Sequence, residues 1–415
     1  MNLPLNRNKP TIMHIDLDSC FATIEQQANP LLRGKPLVVA AYSTPNGCVL
    51  SPSIEAKRYG IKTGMPVRDA RLLCGNIIVR TPDPPKYRDV HTKFKKIFND
   101  YSPNVSPRSI DEAIIDFANT PALIRGLESI GQEIKRRMRR EIGEWISCSI
   151  GISTNRFLAK MGAGLNKPDG LTLITADNLL AIYDRIGLTD LYGINTRNQA
   201  RLNVHGIFTP RQFLDATEEI LRQRVFKGIV GYYWYLRLRG WEIDAVEWGR
   251  KSYGQEYSLG KQTGDPEELS RILLKLCEKM GRRLRKAGYA AQGIHVACVY
   301  TDFTHWHQGR KLSQSMYTTA ELFKKAQWVL NQQPEWKKVR KLAVSCYDLV
   351  ASASSQMDLF DAAADKRRLA ADAMDKINDK YGEFVITPAL MLDMGDTVLD
   401  RIAFGNVKEL EDLYE

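Results

Sequence analysis

A chain of 415 residues has room for two to four domains of about 100–200 residues each. Its 44% hydrophobic and 26% charged residues match an ordinary globular composition and exclude collagenous and disordered classes. The net charge of +11 divides into +9 over residues 1–249, +9 over 250–349 and −7 over 350–415, which favours a polyanionic partner, nucleic acid first, over a role in solubility alone.

Residues 12–17 (IMHIDL) read as a buried strand that runs into acidic residues at its end, and a second apolar run over 37–41 follows the turn-like RGKP. Residues 53–59 and 66–74 read as helices punctuated by Gly60, Gly64 and Pro66, and TPDPP (81–85) is a loop and a subdomain crossing. Helical periodicity over 87–101 precedes the strand-like AIIDF (113–117). Residues 123–142 read as one amphipathic helix whose basic run KRRMRR (135–140) is a solvated face rather than a nucleic-acid site; a strand over 145–152 follows. From 178 to 243 the pattern is helical, jointed at Gly187, Gly193 and Gly206. Beyond residue 250 come a strand, a helix (267–287), strands over 292–300 and 311–317, a helix (319–332) and a strand (339–347), a βαββαβ order typical of split-βαβ domains. HWH (305–307) falls in a polar connection, where that spacing predicts unliganded histidines. ASASS (351–355) reads as a flexible linker, and the acidic tail beyond it carries a helix over 365–381, read as a regulatory or packing appendage.

No apolar run approaches the ~18 residues of a membrane span, and the polar opening MNLPLNRNKP does not resemble a signal peptide. The seven cysteines contain no CxxC pair, so neither a disulfide framework nor a cysteine zinc site is expected, and a reducing cytoplasm is implied.

The chemistry concentrates in carboxylates. Asp16 and Asp18 end the first strand, and their i,i+2 spacing predicts that both point to one face. Asp111 and Glu112 in SIDEA (109–113) would face opposite ways within a regular strand, so both reach one site only at the turn where the strand begins. Clustered carboxylates without a His or Cys partner suit Mg²⁺ or Mn²⁺. Two such ions about 3.5–4 Å apart would serve an in-line phosphoryl displacement. On spacing alone, solvated acidic strand ends account for the same residues.

Five motifs in order, HIDLDSCFATIEQ (14–26), RGKPLVV (33–39), EAKRYGIKTGMP (55–66), SIDEA (109–113) and GISTNRFLAKMGAGLNKPDG (151–170), resemble the Y-family translesion DNA polymerases of the bacterial DNA polymerase IV type. The likeness covers most of the chain and extends to DRIAFG (400–405). It implies an α+β right-hand fold with palm (1–20 and 84–177), small fingers (21–83), a helical thumb with a helix-hairpin-helix (178–243) and a βαββαβ little finger (250–349). A linker, clamp-binding peptide and acidic tail (350–415) would follow. By the same resemblance Asp16, Asp111 and Glu112, with the backbone carbonyl of Leu17, would hold two Mg²⁺ ions or Mn²⁺ in their place. Phe21 would be the steric gate against the ribose 2′-hydroxyl, while Ser19 and Cys20 with Phe21, Lys57 and Lys167 would hold the incoming dNTP. Ile54 and Lys57 stand where many members have Tyr and Arg; losing the guanidinium fork predicts weaker nucleotide affinity. Cys48 and Leu50 would lie near the templating base.

Gly193 and Asn195 in LYGIN (191–195) would present backbone N–H groups to a DNA phosphate, with Asn195 in the left-handed backbone that the family gives to Gly. A plain helix–turn–helix is the alternative. Lys251, Arg282, Arg283, Arg285, Arg310 and Lys311 are candidate contacts of the little finger with primer-template DNA. Gln356, Met357, Leu359 and Phe360 (QMDLF) resemble the peptide that docks bacterial polymerases on the sliding clamp. The implied enzyme is a monomeric, distributive, low-fidelity DNA polymerase of the bacterial cytoplasm and nucleoid, with no membrane partner. The alternatives are a nucleotide cyclase on a palm-like sheet and a non-catalytic scaffold on DNA and clamp.

Overall fold

A strand as uniformly apolar as IMHIDL must be covered on both faces. The computed structural model describes residues 3–246, 249–352, 362–395, 397–398, 400 and 402, and it places that strand, β1 (Ile12–Leu17), at the centre of a five-stranded sheet. The strands that follow are β2 (Leu37–Ala40), β3 (Val49–Pro52), β4 (Ile78–Arg80), β5 (Val105–Pro107), β6 (Glu112–Asp116), β7 (Cys148–Ser153) and β8 (Leu171–Leu173). The central order is β5-β6-β1-β7-β8, and β3-β2-β4 form a separate three-stranded sheet. The chain divides into two units, Met1–Glu247 with Arg401–Glu415, and Trp248–Asp400.

In the first unit, Met13, Ile15 and Leu17 point into a core filled by helices Cys20–Ala28, Pro84–Asn99 and Leu127–Glu141. The opposite face of β1 carries helix Arg156–Leu165, with Ile12, Ile114 and Ala159 in contact. That helix lies unusually close: a β-carbon on Gly151 of β7 would collide with the carbonyl of Ala159 and the amide of Ala163. The predicted helix 123–142 is two helices, Ala122–Arg125 and Leu127–Glu141, because Gly126 adopts φ 82° between them. Its basic run is tied to acidic neighbours: Lys135 is buried against Asp169, Arg139 pairs with the same carboxylate, and Arg137 pairs with Asp100 and Glu141.

In the helical segment that follows, Gly193 takes the left-handed conformation at φ 90°, whereas Asn195 is extended at φ −117° and caps helix Thr196–Asn203. The left-handed role expected of Asn195 therefore falls two residues earlier. A helix N-cap needs β-region backbone, which any residue supplies.

The second unit holds β9 (Ser252–Thr263), β10 (Tyr289–Tyr300), β11 (His305–Met316) and β12 (Val339–Ala351), in sheet order β11-β10-β12-β9, with helices Pro266–Lys286 and Thr319–Leu330 on one face. This is the expected βαββαβ order, except that β11 begins at His305, so HWH lies in a strand rather than a connection. The tail is no loose appendage. Helix Ala362–Tyr381 and the residues after it lie on helix Pro266–Lys286: Asp375 pairs with Arg285 at 2.6 Å, Asp379 with Arg282 at 2.7 Å, and Tyr317 donates to Asp372 at 2.6 Å. Arg271, Lys275 and Lys279 donate to the carbonyls of Leu390, Met394 and Val398, while Met391, Met394 and Val398 complete the core.

Arg282 and Arg285, predicted as DNA contacts, are thus turned to the tail's carboxylates on the helical side, and Arg283 donates to Gly254 and Gln255. Arg310 reaches Gln332 and the Trp328 ring, also on the helical side. Lys311 stands on the open face, paired with Asp348 at 2.9 Å, and Lys251 is exposed just before β9. Gln356, Met357, Leu359 and Phe360 lie outside the described residues. Replacing Asp375 with Ala strands the buried Arg285 guanidinium, and we expect a loss of about 3 kcal/mol in urea unfolding of the second unit; an unchanged midpoint would show that the tail only rests on the surface.

Candidate active site

β1 pairs antiparallel with β6 so that Asp16 stands directly opposite Glu112 and His14 opposite Ile114. Alternation places His14 and Asp16 on the same face, and the register adds Glu112. One ligand atom from each of these three residues lies within 4.8 Å of the others. Asp111 precedes β6 at the bend, where its carbonyl accepts from Leu17 N–H at 2.9 Å and its carboxylate accepts from Ser109 Oγ. Asp111 and Glu112 both stand at the strand's start and line one cavity, but among the described residues the groups within 4.8 Å of one another are His14, Asp16 and Glu112, without Asp111.

Asp18 does not join them. Beyond Leu17 the strand ends, Ser19 turns to φ 52°, and Asp18 is buried accepting from Ser147 Oγ, Ser149 Oγ and the Asp169 N–H at 2.7–2.9 Å. The i,i+2 rule fails there because it holds only inside a strand, and Asp18 instead pins the 166–170 loop. That loop delivers Lys167, whose ammonium pairs with Asp16. Helix Arg156–Leu165 delivers Lys160, which donates to Glu112 Oε2 at 2.5 Å and lies 4.3 Å from the centre of the Tyr192 ring.

The electrostatics follow from crowding. Burial, with Glu112 and Asp111 nearby, pushes Asp16 up to about 7 despite Lys167. Burial also raises Asp111, with Glu112 adding to it and the Ser109 hydrogen bond opposing. Burial works against Glu112 too, but the cationic surroundings, His14 once protonated and Lys160 and Lys167 throughout, hold it below the usual glutamate value. His14 is driven down to about 3 by burial, and neither ring nitrogen has a hydrogen-bond partner. Sequence reasoning missed His14 because it looked forward from Asp16 to Asp18; the same alternation read backward reaches it. Lys160 had no local signal, since it comes from another element.

Two cavities flank the carboxylates. One, of about 180 Å³, is lined by Asp16, Leu17, Ser19, Cys20, Phe21, Leu50, Lys57, Asp111 and Lys167, among others. Here burial and the neighbouring Lys167 lower the Lys57 pKa, with Asp18 and Asp16 opposing, and among the described residues its ammonium forms no ion pair within 4 Å. The Ser19 hydroxyl is buried without a hydrogen bond. Phe21 is buried and stacked on Tyr87, with ring centres 4.4 Å apart and planes 9° from parallel. The Phe21–Tyr87 pair borders a small apolar pocket that Ile402 also lines. The other cavity, of about 650 Å³, contains His14, Arg108, Asp111, Glu112, Lys160, Tyr192 and Gly193 in its wall. Asp111 lines both.

This geometry was compared with known proteins. The impB/mucB/samB family matches residues 15–164 and its C-terminal domain matches 250–359. The chain is 33% identical to a DNA polymerase IV of Pelotomaculum thermopropionicum over 94% of its own length and 97% of that protein. It is 34% identical to the DNA polymerase IV of Moorella thermoacetica, over 92% and 96% respectively. The chain belongs to the Y-family of DNA polymerases. A Y-family DNA polymerase chimera of Dbh and Dpo4 superposes with a TM-score of 0.70 at 25% identity, covering 82% of this chain and 99% of that one. The insertion ternary complex of Dbh DNA polymerase shares the fold with a TM-score of 0.57 at 24% identity and the same coverage.

The chain is therefore a DNA-directed DNA polymerase of the translesion family, which sets aside the cyclase and scaffold alternatives. Polymerases of this family depend on a metal ion, and the residues present fit one. Two carboxylates and a neutral imidazole converge there, and burial raises Asp16 to about 7 even with Lys167 beside it, so a bound cation would favour its ionised form.

In the metal-free polymerase, ionised Asp16 opposes folding. Its folded pKa of about 7 exceeds the unfolded value of 3.8, so the penalty is absent below about pH 4, grows between 4 and 7 and is complete above 7. Asp16→Asn should therefore be more stable than the parent in EDTA at pH 8, by up to about 4 kcal/mol, with a smaller advantage at pH 5. Chemical denaturation at the two pH values checks this, and a gain that did not shrink on acidification would contradict it.

Proposed function

We propose that this polymerase adds deoxynucleotides to a primer 3′-hydroxyl by two-metal-ion phosphoryl transfer, distributively and with low fidelity, while tethered to a sliding clamp. The observation that carries the reading is the pair of cavities that share Asp111. The smaller sets Lys57 and Lys167 across from Asp16 and Asp111 and has a buried aromatic wall; the larger opens toward Tyr192 and Gly193. A nucleotide on one side and a primer end on the other would meet at the carboxylates.

Asp16, Asp111, Glu112 and the Leu17 carbonyl would hold two Mg²⁺ ions, or Mn²⁺, and those ions would neutralise charge on the attacking and leaving oxygens. Lys57 and Lys167 would bind the triphosphate together with the N-terminus of helix Cys20–Ala28, where Ser19 and Cys20 offer polar groups. Among the described residues Lys57 forms no ion pair that would compete with the phosphate, whereas Lys167 must release Asp16 to reach it. Lysine in place of a guanidinium grips as a point charge and not as a fork. Phe21 would lie under the sugar, and Tyr87 behind it prevents the ring from retreating when a 2′-hydroxyl arrives. Lys160 holds Glu112 in place, and His14, neutral at working pH, stands beside that carboxylate without adding a competing proton.

In hand-like terms residues 1–20 and 84–177 would be the palm, 21–83 the fingers, 178–243 the thumb and 250–349 the little finger. The thumb would offer Gly193 and the capping residue Asn195 to a phosphate. The open face of the β9–β12 sheet, with Lys311, and Lys251 beside it would meet duplex DNA, rather than the tail-bound Arg282 and Arg285. One structural neighbour is an insertion ternary complex of Dbh DNA polymerase, which accords with DNA and nucleotide as partners here. QMDLF would dock on the clamp, and the enzyme would act as a cytoplasmic, nucleoid-associated monomer.

Primer extension with Mg²⁺ tests the reading. The full chain should extend a primer and Asp111→Ala should not; extension by both would remove the carboxylates from the chemistry. Phe21→Ala should cost about 100-fold in discrimination against ribonucleotides, measured as the ratio of dNTP to rNTP insertion efficiencies. An unchanged ratio would reassign Phe21 to packing alone.

A further inference from the structure

The pairing of β10 with β11 gathers three histidines far along the chain from the polymerase carboxylates. His295 stands opposite Gly309, Ala297 opposite His307 and Val299 opposite His305. All three imidazoles therefore rise from one face of the sheet, while the alternate residues Ile294, Val296 and Cys298 are buried beneath the helices. His295 and His307 are diagonal neighbours, and the strand partner of His295 is a glycine. A β-carbon at Gly309 would sit 3.3 Å from His295 Cδ2 and 3.3 Å from the Tyr347 hydroxyl, so the missing side chain is what lets the His295 ring lie along the sheet toward His307.

The outcome is a nitrogen pair: His295 Nε2 and His307 Nδ1 are 3.3 Å apart, with ring planes inclined by 41°. That separation suits an N–H···N hydrogen bond between the two neutral rings, which a bound ion would replace. Two nitrogens each about 2.0–2.1 Å from a tetrahedral zinc-type ion are about 3.3–3.4 Å apart. His305 stacks on the far side of His307, 10° from parallel at 6.1 Å, and limits its rotation. Burial and the proximity of His307 lower the His295 pKa, which favours the neutral ring that a metal requires. On this face Lys311 pairs with Asp348 and Lys341 with Glu256, so these two lysines have carboxylate partners of their own.

We propose that His295 and His307 form a binding site for a divalent transition-metal ion of the Zn²⁺, Ni²⁺ or Co²⁺ class on the open face of the second unit's sheet, separate from the polymerase carboxylates. Imidazole donors without a carboxylate select such ions over Mg²⁺. The polymerase site differs in placing the Asp16 and Glu112 carboxylates beside its one imidazole, His14. Nothing in this assignment depends on which face of the sheet meets DNA.

The test is equilibrium dialysis of the untagged full chain against micromolar Ni²⁺ in a large excess of Mg²⁺, beside His307→Gln and His295→Gln. Both substitutions lie on an exposed sheet face, and unchanged thermal unfolding would show that each variant is folded. The parent should retain one more nickel per chain than either variant. A Co²⁺ titration should give the parent alone the intense visible absorption of a nitrogen-ligated tetrahedral site. Equal nickel content in the parent and both variants would overturn the proposal, as would an extra ion that survives both substitutions.

Discussion

Everything about the catalytic end of the molecule rests on one unfavourable contact, the apposition of Asp16 and Glu112 on neighbouring central strands. Like charges directly across a sheet repel. The remedy is external to the strands: Lys160 and Lys167 are brought in by a helix and the loop after it. The helix can supply them only because Gly151 lets it press against the sheet. The loop is held by Asp18, a carboxylate spent on backbone and hydroxyl donors and not on chemistry. Two acidic residues two positions apart thus have unlike duties, one raised to about 7 by burial and the other fully satisfied.

The same economy shapes the second unit. A helix bearing Arg282, Arg283 and Arg285 would be a strongly basic surface if bare, yet the acidic tail covers much of it with ion pairs and adds three apolar side chains to the core. The net charge of the unit is then concentrated on fewer exposed groups than composition alone implies.

How much of this was legible in sequence depends on the range of the interaction that decides it. Strand and helix existence, the βαββαβ order and the place of Asp111 and Glu112 at a strand's start followed from local pattern, because periodicity and a turn at a strand's start are local facts. The rest of the proposed carboxylate site came from the family motifs. What failed needed tertiary knowledge or fine backbone geometry. Asp18 was misplaced by extending alternation past the strand's last residue. Asn195 was given a backbone state that its neighbour Gly193 holds. Gly126 breaks a helix that its flanking periodicity joins smoothly. The arginines of helix Pro266–Lys286 looked like phosphate ligands because composition cannot show that their carboxylate partners lie some 90 residues onward. His14 sat in plain view within a motif, but its meaning came from register with β6.

The tail's place in the second core bears on how the protein is made. Met391, Met394 and Val398 fill the same interior as strand β9, which begins at Ser252. During synthesis the first unit can assemble most of its sheet while later residues are still being added. The second cannot close its interior until the chain through Val398 has cleared the ribosome. Until then its helices expose both an apolar seam and a row of unpaired arginines, the combination most attractive to chaperones and to cellular RNA. The order of emergence therefore gives the nascent polymerase an interval in which the interior of its second unit is still open.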